Sequence, residues 1–333
     1  MDLQRTLDPS AFPNSNLLPQ VRRSAAKCLE AVITMRNTML VDFYKGVSPQ
    51  LIQRFKEREE NVKVDIFHAY IALLRQTKSS AATAMHDHNS MEVAEDSPLT
   101  LLTNQVPSIV KAVHRLLKDK SVKTRQGCFA LLSELVSVLP GALANHISAV
   151  IPGIQYSLGE KQAASNMKID TLAFIQHLLQ HNQPVTVFHP HSKVLVPAVI
   201  NAVSDPFYKI SSEALLVLET LVTVLRPMDK SKILNEAEGF RNHVGPIYEC
   251  CFLRLKTSDI DQEVKERAIS CMGRIVAHLG DCLKPELPNC LPILRDRLKN
   301  EITRLTAVKV SDVRIYFRHV YMYMIHILLA ASL

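Results

Sequence analysis

Tryptophan is absent from this chain of 333 residues, and glycine occurs only 9 times. Sheet-rich architectures need many tight turns, and many of those turns need glycine, so such architectures are disfavoured. Aromatic residues make up 6% of the chain, whereas apolar residues reach 47% and are mostly Leu, Val and Ala. That supply is enough for a sizeable core and excludes global disorder. Leu and Ala are strong helix formers, so the composition favours helices. Residues 1–20 hold no apolar run behind basic residues, so no secretory signal is read there, and no Asn-x-Ser/Thr acceptor occurs. The cysteines (Cys28, Cys128, Cys250, Cys251, Cys271, Cys282 and Cys290) are odd in number and irregularly spaced. Such usage suits reduced core thiols rather than a disulfide framework, and it predicts a cytoplasmic and nuclear protein.

Catalytic motifs are lacking too. There is no Gly-rich phosphate loop, no Gly-x-Ser-x-Gly elbow and no His-Glu-x-x-His. His177 and His181 are spaced to share a helix face, as zinc ligands can, but no Cys or carboxylate is placed to complete a site. His86, His88, His189 and His191 read as loop histidines, and Cys250-Cys251 as core thiols on an apolar helix. The sequence therefore assigns no catalytic, cofactor-binding or metal-ligating residue. It predicts no cofactor and no small-molecule substrate, and an enzyme is the reading with least support.

Charge is unevenly spread. Thr77–Ser97 sets one lysine against Asp87, Glu92, Glu95 and Asp96, so this −3 segment leaves +10 on the rest of a chain whose net charge is +7. A positive field favours acidic partners or nucleic acid. A solvated, Lys-rich helical surface explains the balance with fewer assumptions than nucleic-acid binding does.

What the sequence does have is repetition. An apolar residue followed by Lys or Arg opens a helix-periodic segment at Val21-Arg22, Val62-Lys63, Val122-Lys123, Met167-Lys168, Tyr208-Lys209 and Val264-Lys265. Ile302-Thr303 is a degenerate seventh. The intervals are 41, 60, 45, 41, 56 and 38 residues. The two long ones contain an acidic, Ser/Ala-rich insertion at 77–97 and an irregular one at 228–245. Removing them restores a period near forty, the length of HEAT or armadillo helix pairs.

Pro49, Pro107, Pro152, Pro197, Pro246 and Pro292 lead the apolar segments that precede these sites. Proline is tolerated in a first helical turn, so these segments are expected to be first helices starting at the prolines. Asn61, Ser121, Ser165 and Asp261 are placed to cap the second helices. The stripe Phe129, Leu132, Leu135, Val136 and Leu139 has the three- and four-residue steps of a buried helix face. The predicted fold is all-α: an α-solenoid of HEAT-type helix pairs in a right-handed superhelical array. Residues 1–20 form an irregular extension, 21–309 hold about six or seven pairs, and 310–333 are a divergent apolar tail. The 14 residues from Val320 are too short to span a membrane comfortably, so no membrane partner is expected.

Two kinds of surface residue stand out. Asp119 with Arg125, and Asp261 with Arg267, place a turn Asp six residues before a second-helix Arg, the pattern of a structural ladder between repeats. Lys118, Lys120 and Lys123 crowd one turn with few matching acids, and together with Lys209 they are the candidate partner-binding residues. Phe207 and Tyr208 are expected to pack into the repeat interface.

Seven collinear blocks carry a resemblance. They are Val21–Leu29, Arg54–Lys63, Lys120–Gln126, Val138–Leu143, Asp205–Ile210 with Ser212–Val217, Asp261–Gly273 and Asn300–Leu305. Together they resemble the cullin-associated, neddylation-dissociated family, also described as TATA-binding-protein-interacting, over the middle of its N-terminal half. The resemblance implies a non-enzymatic HEAT scaffold that binds an unneddylated cullin–RING ligase core and promotes exchange of substrate-receptor modules. It carries no catalytic residue. An importin-β-like transport receptor and a transcription-linked nucleic-acid binder are the alternative readings.

Overall fold

The computed structural model describes residues 19–86, 97–160, 164–181, 184–227, 239–257 and 261–299, with Thr303 and Thr306. Residues 87–96 of the insertion expected at 77–97, residues 228–238 of that expected at 228–245, most of the seventh site and the tail lie outside these residues, whereas 241–245 belong to a helix. Among the described residues all regular structure is helical. The chain divides into two compact units, one ending at Ala142 and one beginning at Leu143.

The first unit contains α1 (Pro19–Met35), the short α2 (Leu40–Asp42), a π turn (Phe43–Val47), α3 (Ser48–Arg54), α4 (Glu60–His86), α5 (Pro98–Val113) and α6 (Val122–Val138). The apolar-basic sites open α1, α4 and α6, which pack on one another as one layer; α3 and α5 form the other. Phe55, Phe67 and Tyr70 join the layers, with ring centroids 5.1 Å and 5.5 Å from Phe55. The polar atoms of the core find partners: the Tyr44 hydroxyl bonds Thr77 Oγ1 at 2.7 Å, and Ser48 Oγ bonds the Tyr70 hydroxyl at 3.0 Å. Gln105 Nε2 donates to the Tyr44 carbonyl at 2.8 Å, tying α5 to the π turn.

The helix α4 corrects one expectation. It continues through residues 77–86, which the sequence reading placed in an insertion between helices. Thr77 is 1% exposed, and its bond to Tyr44 gives that stretch a buried anchor. Once a helix is nucleated, adding each further Ser, Ala or Thr costs little.

The second unit contains α7 (Ile147–Gly159), α8 (Ser165–His181), α9 (Ser192–Val203), α10 (Tyr208–Leu225), α11 (Arg241–Lys256), α12 (Gln262–Leu279) and α13 (Leu287–Lys299). Here α8, α10 and α12 form the layer of second helices, and α7, α9, α11 and α13 the layer of first helices. Asp261 caps α12 by accepting from the Glu263 N–H at 2.9 Å, as Ser121 caps α6 through Thr124 N–H at 3.1 Å. Asn61 instead lies inside α4, and Ser165 is the first residue of α8.

Pro49 stands in the first turn of α3, as expected, but the other five prolines depart from expectation. Pro107, Pro152, Pro197, Pro246 and Pro292 all sit inside their helices, not at the start. An interior proline forfeits a backbone hydrogen bond and strains the preceding turn, at about 3 kcal/mol. The residues ahead of it supply the offset: Ile147, Val150 and Ile151 before Pro152, and Leu195 and Val196 before Pro197, are all buried. Burying each such side chain stabilises by roughly 1.5–3 kcal/mol. Tertiary packing therefore draws the chain into helix a turn earlier than propensity would.

The far end of α10 is held by a polar knot. Arg226 reaches Asp281 with both guanidinium branches, Nη2 to Oδ2 at 2.7 Å. It also donates to the His278 carbonyl at 2.8 Å and lies 5.3 Å from the Phe240 ring centre. His278 Nδ1 in turn meets the Arg226 carbonyl at 2.7 Å. Burial, with Arg274 and Arg226 nearby, holds the His278 imidazole below its ordinary pKa. Burial, with Lys193 second, does the same for His243.

Both histidines thus bind fewer protons folded than unfolded, so protonation favours the unfolded chain. Their stabilising contribution is complete above about pH 6.5, the ordinary histidine value, and is lost as pH falls through their depressed folded values. Asp281 sits below the ordinary carboxylate range because Arg226 hydrogen-bonds it, so its contribution is lost only in stronger acid. The unfolding midpoint should therefore drop on acidification from pH 7.5 to 5.5. His278→Gln with His243→Asn should flatten that slope in denaturant titrations at each pH. A slope that persists in the double variant would assign it elsewhere.

Candidate partner-binding surfaces

The apolar-basic sites do more than open helices. Arg22 Nε lies 3.3 Å from Glu57 Oε2, and Glu57 Oε1 also accepts from the Arg58 N–H at 2.8 Å. Lys63 Nζ lies 3.5 Å from Asp119 Oδ2, while Asp119 Oδ1 accepts from the Ser121 N–H at 2.8 Å. Lys168 Nζ meets Asp205 Oδ2 at 2.8 Å, while Asp205 Oδ1 accepts from the Phe207 N–H at 3.0 Å. Three times, the cation of one helix pair reaches a turn carboxylate of the next pair. Each of these carboxylates also fixes its own turn.

Asp119 is thus one rung of a ladder, reaching across to Lys63 of the preceding pair. Arg125 is 1% exposed within α6. Asp261 serves as the cap of α12, and Arg267 is half-buried on that helix.

The four candidate lysines fare differently. Lys123 is 63% exposed but already faces Glu60 Oε1 at 3.2 Å. Lys118 and Lys120 are exposed at the turn between α5 and α6. They share it with Lys111, His114 and Arg115, which the sequence reading passed over. The missed signal was charge bookkeeping: from 98 to 133 the only acid is Asp119, against six Lys and Arg.

Lys209 belongs to the second unit and the other three to the first. It lies 5.9 Å above the Tyr208 ring. Tyr208 and Phe207 are each 37% exposed and meet edge to face at 5.4 Å. This corrects the expected packing of both rings. Val62, Met167 and Val264 are buried at the position Tyr208 holds, but a phenol hydroxyl needs a polar partner or water. Phe207, in extended conformation at the N-cap, points out with it. Arg254 donates to the Val203 carbonyl at 3.0 Å and thereby draws the last turn of α11, with Leu253 61% exposed, against this turn. The result is a knob of two aromatic rings and a cation.

Two of the thiols are held protonated by burial. Burial pushes Cys250 up to about 12 and Cys290 to about 11, so neither is a thiolate near neutrality. His177 and His181 stack edge to face at 5.9 Å. Among the described residues no group of three His, Cys, Asp or Glu side chains converges as metal ligands would. No helix there is long and apolar enough to cross a membrane.

A family model described as "CAND1-like, TPR repeats" matches residues 141–272. The chain is 53% identical over 290 residues to cullin-associated NEDD8-dissociated protein 1 of Drosophila melanogaster. That alignment covers 87% of this chain and 23% of the fly protein. The chain belongs to this cullin-associated NEDD8-dissociated family. The mouse protein 2 is 48% identical over 87% of the chain, and the Arabidopsis thaliana protein 1 is 47% identical over 88%. The chain spans 23% of the length of each of these family members.

Solved structures support the fold. A designed armadillo repeat protein matches with a TM-score of 0.51 at 14% identity, covering 79% of this chain and 97% of its own. The karyopherin Kap121p matches with 0.55 at 13% identity, covering 88% of this chain and 30% of its own. The architecture is therefore the stacked helix-pair array of armadillo and HEAT proteins.

Proposed function

We propose that this chain is part of a non-enzymatic scaffold that holds the core of an unneddylated cullin–RING ligase and promotes exchange of its substrate-receptor modules. The observation that carries the reading is 53% identity, over 87% of the chain, to a protein named for its association with cullins. Stacked helix pairs expose long edges suited to a protein partner. The knob Phe207–Tyr208–Lys209 has the composition of an interface anchor, since aromatic rings dominate binding hot spots. Cys128, Cys251, Cys271 and Cys290, buried as free thiols, support a reducing cytoplasmic and nuclear setting.

Immobilised cullin–RING core should recover the chain in its unmodified form and not in its neddylated form. Phe207→Ala with Tyr208→Ala should weaken recovery about tenfold or more while leaving helicity unchanged. Equal recovery of both cullin forms, or none above bare resin, would remove the reading. Importin-like transport has only the karyopherin likeness behind it, and at 13% identity that speaks for the fold alone.

A further inference from the structure

Where α5 turns toward α6, the described residues of the first unit leave a cluster of positive charge without a matching acid. Val113 and Leu117 are fully buried there and anchor the turn. Around them Lys111, His114, Arg115, Lys118 and Lys120 are all exposed. Lys111 with Arg115, and His114 with Lys118, follow the four-residue spacing that makes neighbours on a helical surface.

Among the described residues, the nearby carboxylates Asp119 and Glu60 are already committed. Asp119 accepts from the Ser121 N–H at 2.8 Å and faces Lys63 at 3.5 Å. Glu60 accepts from the Ser121 hydroxyl at 2.7 Å and faces Lys123 at 3.2 Å. Elsewhere in the unit, Arg22, Arg23 and Arg75 each have an acid, in Glu57, Asp65 and Glu134.

The helix C-terminus explains part of this cluster, because cations in a last turn complement its dipole. That accounts for Lys111 in the last turn of α5. It does not account for Arg115, Lys118 and Lys120, which lie beyond that helix and only add repulsion. We propose that this edge docks an acidic, extended segment of a protein partner, whose carboxylates meet Lys111, Arg115, Lys118 and Lys120.

Nucleic acid fits less well. Single strands bind through aromatic platforms as well as charge. The exposed aromatic rings among the described residues, Tyr156, Phe207 and Tyr208, all belong to the second unit. A duplex would need a longer stripe, and the flanking cations Lys63 and Lys123 are engaged by acids of the fold.

The test uses the whole chain and fluorescence anisotropy at about 50 mM salt, where surface charges are weakly screened. The probes are a labelled peptide of alternating Asp and Glu, and a single-stranded oligonucleotide of matched charge. Arg115→Glu with Lys118→Glu and Lys120→Glu should weaken peptide binding by about tenfold or more. Lys78→Glu with Lys256→Glu and Lys284→Glu makes the same change in net charge at other exposed lysines, and should weaken it less than about twofold.

Equal losses in the two triple variants would reduce the effect to overall charge and overturn the proposal. So would absence of peptide binding, or tighter binding of the oligonucleotide that the first variant abolishes. Should that variant lose helicity, Arg115→Gln with Lys118→Gln and Lys120→Gln gives the same readout with a smaller loss. No cullin enters the experiment, so its failure leaves the cullin reading standing, and the reverse holds as well.

Discussion

Replacing Asp205 by alanine should destabilise the second unit by about 2–4 kcal/mol. Two losses combine. The Lys168 ammonium, 17% exposed, loses its carboxylate, itself 11% exposed, and is left nearly buried without a counter-charge. The Phe207 N–H loses its acceptor at 3.0 Å, which frees the turn that starts α10. An unsatisfied donor of this kind costs about 1–3 kcal/mol when buried and less at this half-open turn.

Asn is the informative control. Asp205→Asn keeps the turn oxygen and gives up only the charge, so it should cost about half as much. Lys168→Met removes the charge but keeps an apolar stem in place, and should cost at most about 1 kcal/mol. Exchanging the residues, Asp205→Lys with Lys168→Asp, should not restore stability, because lysine cannot accept from the Phe207 N–H. Denaturant midpoints separate these cases. Full recovery in the exchanged variant would mean that the ion pair alone matters and that the turn bond is incidental.

The same rung explains why the period was legible. At α1, α4 and α8 the cation after the apolar residue reaches the next turn, so packing within the array leaves a mark in the sequence. The helix starts at Val122 and Tyr208 and the caps at Ser121 and Asp261 were all visible for this local reason. The family was legible as well, because seven collinear blocks survive at this level of identity.

What stayed hidden was decided between elements. The six-residue spacing marked Asp119 as part of a ladder between repeats but did not name Lys63, far away in sequence, which comes within 3.5 Å. The prolines were read by backbone propensity alone, and burial ahead of Pro152 and Pro197 overrode it. Phe207 and Tyr208 were assigned to the interior because smaller residues occupy the equivalent place there. Exposure of a ring depends on whether its neighbours leave a hole of the right size and polarity, which no one-dimensional pattern records.

Gly127 is the sharpest case of such hidden information, and replacing it by alanine should cost about 2 kcal/mol. In an exposed helix the same change gains roughly 1 kcal/mol, since glycine loses more backbone freedom on folding. The sign reverses here because α4 and α6 approach closely. A methyl group on Gly127 would lie 2.5 Å from Phe67 Cδ2 and 3.1 Å from Cε2. Carbon atoms settle at about 3.5–4.0 Å, so one side must move by about an ångström. Phe67 cannot easily do so: it is fully buried and its ring centre lies 5.1 Å from that of Phe55. The backbones of two second helices would have to part instead, loosening the layer on which the first unit rests. Phe67→Leu makes room at the ring edge, so Gly127→Ala should cost less in that background, a coupling of about 1 kcal/mol in a double-mutant cycle. Thermal or denaturant unfolding of the four proteins measures it. A stabilising Gly127→Ala in the native background would show that the helices are free to separate, and that glycine is there for some reason other than close approach.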